Sequence, residues 1–147
     1  MPMRHIISVL VFSFALTAWA GEPIIGYVKT VKGGASVITA GQLVKAGVGT
    51  PVMTGSIIRT GANASLGITF KDNTVMSFGP DTEMTVDQYV YAPNKGQLQL
   101  GASLARGTLA YLSGAIGKIK PDGVSVKTPT GTIGVRGTYF VVKVEPD

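Results

Sequence analysis

From Ile24 onward, apolar and polar residues alternate in pieces of four to eight residues, closed by Gly, Pro, Asn or Asp at spacings near ten. Successive side chains on a strand point to opposite faces, so this rhythm predicts half-buried β-strands. Ala64 to Phe70 is the clearest piece: Ala64, Leu66, Ile68 and Phe70 share one face, and Ser65, Gly67 and Thr69 share the other. Lys71-Asp72-Asn73 turns the chain, and Thr74 to Phe78 returns as a hairpin partner with Met76 and Phe78 on one side. Thr82 to Tyr91 follows, with Met84 and Val86 inward, and Gln97 to Ala102 alternates after the Ala92-Pro93-Asn94-Lys95-Gly96 turn. Further strands are predicted at Ile24–Val31, Ser36–Thr39, Leu43-Val44, Ser56–Thr60, Thr108–Leu112, Val124–Thr128 and Tyr139–Val144. After position 20, no window of ten residues keeps helical spacing free of Gly or Pro, and Leu104-Ala105-Arg106 amounts to one turn at most. The expected fold is therefore an all-β single domain of short, mostly antiparallel strands. Periodicity alone leaves a sandwich, a barrel and a flattened solenoid all open.

The first twenty residues follow a different pattern. Arg4 precedes an uncharged, mainly apolar run from Ile6 to Ala18, and Ala18-Trp19-Ala20 ends in small-x-small spacing. That predicts a secretory signal peptide over 1–20, cleaved after Ala20, with the β domain over 21–147. Thirteen helical residues span only about 20 Å, against roughly 30 Å of hydrocarbon, so a retained anchor is disfavoured. The expected location is periplasmic or secreted, with no membrane span after cleavage.

Cleavage would remove His5, the one His of a chain that has no Cys. Without either residue type, a Ser-His-Asp triad, a Cys nucleophile and His- or thiolate-ligated metal sites cannot be built. The fold must also stand without disulfides. Carboxylate chemistry needs a cluster, yet the acidic residues after position 20 are scattered except for Asp81-x-Glu83, which reads as a solvated strand start. Asp72-Asn73 reads as a turn, because no calcium-loop spacing follows it. No Ser-x-x-Lys and no phosphate-binding glycine motif occurs. No enzyme activity, cofactor or metal is expected.

Several segments, read in order, resemble the FecR domain of bacterial envelopes. Gly55-Ser56-Ile57-Ile58-Arg59-Thr60-Gly61 is similar to the family's step into a strand, and Ala64 to Thr74, through Asp72, to its strand and turn. Phe78-Gly79-Pro80-Asp81-Thr82 resembles a Leu-x-Pro-x-Ser/Thr step, and Leu100 through Gly107-Thr108-Leu109 a Leu-x-x-Gly stretch. The most specific segment is Val126 to Val142, whose Thr128-Pro129 and Val135-Arg136-Gly137-Thr138-Tyr139-Phe140 resemble the family's Thr-Pro…Val-Arg-Gly-Thr-x-Phe ending. The resemblance runs from Gly55 to Val142 and implies a twisted, solenoid-like arrangement of short antiparallel strands. It marks Thr60, Gly61, Asp72, Pro80, Gly107, Thr128, Pro129, Arg136, Gly137, Thr138 and Phe140 as motif residues with mainly structural roles. Pro129 is expected to stop ladder pairing and Gly137 to permit a backbone angle or a close approach. Arg136 is expected to satisfy carbonyls left open by a Gly-rich turn from Gly131 to Gly137.

For function, the resemblance implies an envelope protein that contacts other proteins. FecR-type regulators themselves connect an outer-membrane receptor to a sigma factor. The leading expectation is a protein-interaction or scaffold module that uses a sheet face or an open strand edge. One alternative is a periplasmic component of FecR-type sigma-factor signalling; the other is binding of an anionic envelope polymer, peptidoglycan or lipopolysaccharide, with Lys29, Lys32 and Lys45 and Lys118, Lys120 and Lys127 as its contacts. Twelve Lys and Arg against eight Asp and Glu after position 20 motivate it. Nucleic acid is not expected as a partner, because basic and aromatic residues do not interleave.

Overall fold

The computed structural model describes residues 23–145. It is an all-β domain of twelve strands with one short helix. The strands are β1 (Ile24–Lys32), β2 (Ala35–Thr39), β3 (Gln42–Lys45), β4 (Pro51–Met53), β5 (Ile57–Thr60), β6 (Ser65–Phe70), β7 (Val75–Phe78), β8 (Glu83–Ala92), β9 (Gln97–Leu112), β10 (Val124–Thr128), β11 (Gly131–Gly134) and β12 (Tyr139–Val144). Helix α1 covers Ala115–Ile119. The proposed signal peptide lies outside the described residues.

The strands form one curled sheet in the order β3-β2-β5-β8-β9-β7-β6-β1-β4, with β10, β11 and β12 branching from β9. The pairings are antiparallel except β9 with β10. The sixteen residues of β9 organise the curl. Its first part pairs with β8 and β10, and its last part pairs with β7 and β12. Two half-sheets therefore share this one strand. The first half runs β3-β2-β5-β8-β9-β10-β11, and the second runs β4-β1-β6-β7-β9-β12.

The sequence predicted two strands where β9 is continuous, and the reason lies between Ala105 and Gly107. Leu98, Leu100, Ala102 and Leu104 are buried, and further along Leu109 and Tyr111 are buried, so the inward parity switches between them. The register with β8 steps from Leu104 to Arg106, so Ala105 is the extra residue of a bulge, and Gly107 just beyond it has φ +96°, a left-handed conformation that side chains resist. Without that extra residue, Leu109 and Tyr111 would turn to solvent. One cluster of buried side chains fills the inside of the curl. It includes Ile58, Met84 and Leu100 from the first half and Ile68, Phe70, Met76, Phe78, Leu109 and Tyr111 from the second. Each such side chain contributes roughly 1.5 to 3 kcal/mol by leaving water.

The predicted inward faces of Ala64, Leu66, Ile68 and Phe70, of Met76 and Phe78, and of Met84 and Val86 are all buried. Three elements escaped the sequence reading. Strand β4 starts on Pro51, β11 runs through a segment read as a turn, and α1 follows Gly114.

Candidate functional site

Four of the motif residues converge where the chain crosses from β7 to β8. Thr60 Oγ1 donates to the Gly79 carbonyl at 2.6 Å and accepts the Thr82 N–H at 2.9 Å. Thr82 Oγ1 donates to Gly79 O at 2.9 Å, lies 3.3 Å from Pro80 O, and accepts the Thr108 N–H at 3.0 Å. The Gly61 carbonyl accepts the Asp81 N–H at 3.1 Å. Gly107 backs onto this knot so closely that a Cβ there would overlap the Thr82 backbone and hydroxyl. Thr60, Gly61, Pro80 and Gly107 thus tie both half-sheets to the β9 bulge. Buried hydroxyls satisfy the backbone groups that the crossing leaves unpaired.

Asp72 anchors a second knot. It is buried, and its carboxylate accepts Thr74 Oγ1–H at 2.7 Å, Tyr89 Oη–H at 2.8 Å, Ile116 N–H at 3.0 Å and Thr74 N–H at 3.3 Å. The Asp72 carbonyl accepts the Ala115 N–H at 2.8 Å. Helix α1 has Gly114 as its N-cap and so no capping side chain of its own; Asp72 caps it from 44 residues upstream. Gly114 is required because a Cβ would overlap the backbone of Asp72, Asn73 and Thr74. Burial, followed by the hydrogen bond to Asp72 and its negative charge, raises the Tyr89 hydroxyl far above the ordinary tyrosine range. Burial likewise raises Tyr111. The Ser113 and Thr74 hydroxyls lie near enough to Tyr111 Oη to offset part of that rise, yet neither completes a hydrogen bond with it.

The tail motif divides. Ser113 holds it to the second knot, donating through Oγ to Gly137 O at 2.9 Å and through its N–H to Thr138 O at 2.8 Å. The Phe140 ring packs on Tyr111 with centroids 4.8 Å apart. Gly137 has φ +130° with open space around it, so its backbone angle, and not a close approach, is what it supplies. Thr128 Oγ1 donates to Gly131 O at 2.8 Å across the β10–β11 turn, and Pro129 sits exposed at that turn, where the ladder stops. Arg136 departs from its expected role. It is exposed, and among the described residues it makes no hydrogen bond to a carbonyl, because the segment expected to be a turn pairs with β10 as β11 and meets those groups itself.

Outside these knots the molecule presents surfaces. On the outer face of the second half-sheet, one register row joins Pro51, Tyr27, Thr69, Val75, Leu112 and Tyr139 across all six strands. Tyr27 is 41%, Leu112 42% and Tyr139 63% exposed. At about 4.8 Å per strand the two tyrosines stand roughly 19 Å apart. The next row is Thr30, Gly67, Ser77, Ala110 and Val141, small residues that keep the face flat. A cleft of about 400 Å³ containing Leu112, Ser113, Lys118 and Thr138 opens at the α1 end of the apolar row.

The first half-sheet carries a charged row, Lys45-Ser36-Arg59-Glu83-Arg106. Arg59 pairs with Glu83 at 2.6 Å, leaving Lys45 and Arg106 at the row's ends. Of the six lysines expected to hold a polyanion, Lys45 alone joins this row; Arg59 and Arg106 supply the rest. Register on a folded sheet brought them together, and no sequence spacing signals it.

The Glu83 carboxylate is engaged by Arg59, and Asp81 is exposed. Among the described residues, no group of three or more potential metal ligands occurs. Nor is any helix there long and apolar enough to cross a membrane. A family model described as FecR protein matches residues 56–147, which includes both knots and the tail. Neither the curated proteins nor the solved structures contain a match to the chain.

Proposed function

Because the chain belongs to the FecR family, we propose that it is a non-enzymatic protein-interaction module of the bacterial cell envelope, working from the periplasmic side. The observation that supports this reading most is the apolar row from Tyr27 to Tyr139. A solvent-facing sheet surface ordinarily alternates with polar residues, and an apolar stripe crossing a whole half-sheet is typical of docking surfaces. The occupant that fits is another envelope protein offering an apolar strip rimmed by polar groups, with Tyr27 and Tyr139 as anchors at its two ends. Such a face serves a scaffold and a FecR-type sigma-factor signalling chain equally well, since both act by protein contact.

The charged row supports a second reading, an anionic polymer of the envelope. Salt separates the two, because charge attraction is screened and apolar docking is not. Capture from envelope extract by the purified protein tests both. On the protein reading, the captured protein stays bound at high salt and is lost with the pair Leu112→Glu and Tyr139→Ser. Polymer that binds only at low salt and is lost with Lys45→Glu and Arg106→Glu would carry the second reading instead.

A further inference from the structure

We propose that the open edge of β12 pairs with the same edge of a second copy of this chain, joining two second half-sheets into one continuous sheet. Among the described residues, β12 is paired only with β9. Proteins blunt exposed strand edges with proline, short length, glycine or charge. The strands at the sheet's other three ends follow that rule, and the open side of β8 beyond Val86 starts on Asp87 at a bulge. Strand β4 has three residues and starts on Pro51, β11 contains Gly131 and Gly134, and β3 has four residues with Lys45 at its end. Strand β12 is six residues long, Tyr139-Phe140-Val141-Val142-Lys143-Val144, with neither proline nor glycine; it carries one charge, Lys143, so its length and its unbroken backbone set it apart.

One hydrogen bond fixes which groups of β12 are free. The Thr138 carbonyl accepts Ser113 N–H at 2.8 Å and so points toward β9. Backbone groups alternate in direction along a strand, so those of Phe140, Val142 and Val144 also point toward β9. The N–H and C=O of Tyr139, Val141 and Lys143 point outward. A two-fold axis through Val141 sets Val141 against its own copy, and Tyr139 against the copy's Lys143. Every outward backbone group then finds a partner, giving about six hydrogen bonds between the copies.

The side chains agree with that register. Lys143 lies beside an apolar, aromatic neighbour instead of its own copy, which avoids like-charge contact and suits the lysine stem and ammonium against a tyrosine ring. On the inner face, Phe140 meets the copy's Val142. On the outer face, Val141 meets Val141 in the row of small residues, and each apolar row stays uncovered from Pro51 to Leu112. The pairing uses the strand edge and the docking row uses the sheet face; they share Tyr139 alone, so Leu112→Glu and Val141→Lys separate them.

Two measurements test it. Sedimentation of the purified protein across concentrations up to about 100 µM should show a reversible monomer–dimer equilibrium, as a small interface predicts. Val141→Lys sets two like charges across the axis and should raise the dissociation constant at least tenfold; Val141→Thr should leave it nearly unchanged. A hydrogen-bonded antiparallel pair has Cα atoms about 5.5 Å apart, inside the range a disulfide spans. In this cysteine-free chain, Val141→Cys should oxidise to a covalent dimer readily and Tyr27→Cys should not. A monomer at every concentration, or equal oxidation of the two cysteine variants, would overturn the proposal.

Discussion

The Tyr89 hydroxyl donates to the Asp72 carboxylate at 2.8 Å and accepts the Asp72 backbone N–H at 3.0 Å, so one residue pair closes a two-bond ring between the β6–β7 turn and β8. The Tyr89 ring also stacks on Phe70 with centroids 5.4 Å apart. Tyr89→Phe keeps the stack and removes the ring of bonds. It should lower unfolding free energy by about 1 to 2 kcal/mol, read from denaturant midpoints.

Asp72→Ala should cost more, about 3 kcal/mol, because it leaves four donors without their acceptor. Asp72→Asn keeps the shape but turns one acceptor into a donor, and should fall between the two. The helical signature of α1 and protection of the Ile116 amide from hydrogen exchange should be lost first, since that cap is remote in sequence.

The same site sets an alkaline limit. In the unfolded chain Tyr89 and Tyr111 ionise near pH 10, whereas both are raised in the fold. Above pH 10 the unfolded state therefore releases protons that the folded state retains. The stability these groups provide is full below pH 10 and declines as pH rises toward their folded values. Ultraviolet titration should show two of the five tyrosines resisting ionisation until the protein unfolds. If Tyr89 and Tyr111 titrated near pH 10 with the fold intact, the burial of this pair would be contradicted.

At the other knot, Gly107→Ala should destabilise by about 3 kcal/mol or more, from the left-handed angle and the overlap with Thr82 together. Gly34→Ala, with nothing within 4 Å of the new methyl, is the matched control and should be near neutral. Thr60→Val, which removes both a donor and an acceptor, should cost about 2 kcal/mol. Calorimetric melting of the three variants checks the order.

These sites show what the sequence made legible. Alternation through Leu66, Ile68 and Phe70 and through Met84 and Val86 carried the core faces, because a half-buried strand shows its pattern locally. At Ala105-Arg106 the alternation breaks, and a bulge in one strand looks the same as a gap between two. Gly131-Thr132-Ile133-Gly134 hides a strand because an exposed edge needs backbone bonds and little side-chain pattern. Asp72 was readable as a turn residue, but its partners at Tyr89 and Ile116 lie 17 and 44 residues away, and its role as a helix cap exists only in three dimensions. The docking row is of the same kind, built from six strands by register.

The central claim is that the row from Tyr27 to Tyr139 is where a partner protein docks. A photo-activated cross-linking side chain placed at Leu112, in cells exporting the protein, tests it most directly, with the same probe at Ser103 on the opposite half-sheet as the comparison. The account predicts a discrete adduct with another envelope protein from position 112 and none from position 103. Equal labelling from both positions, or no protein adduct from position 112, would contradict it.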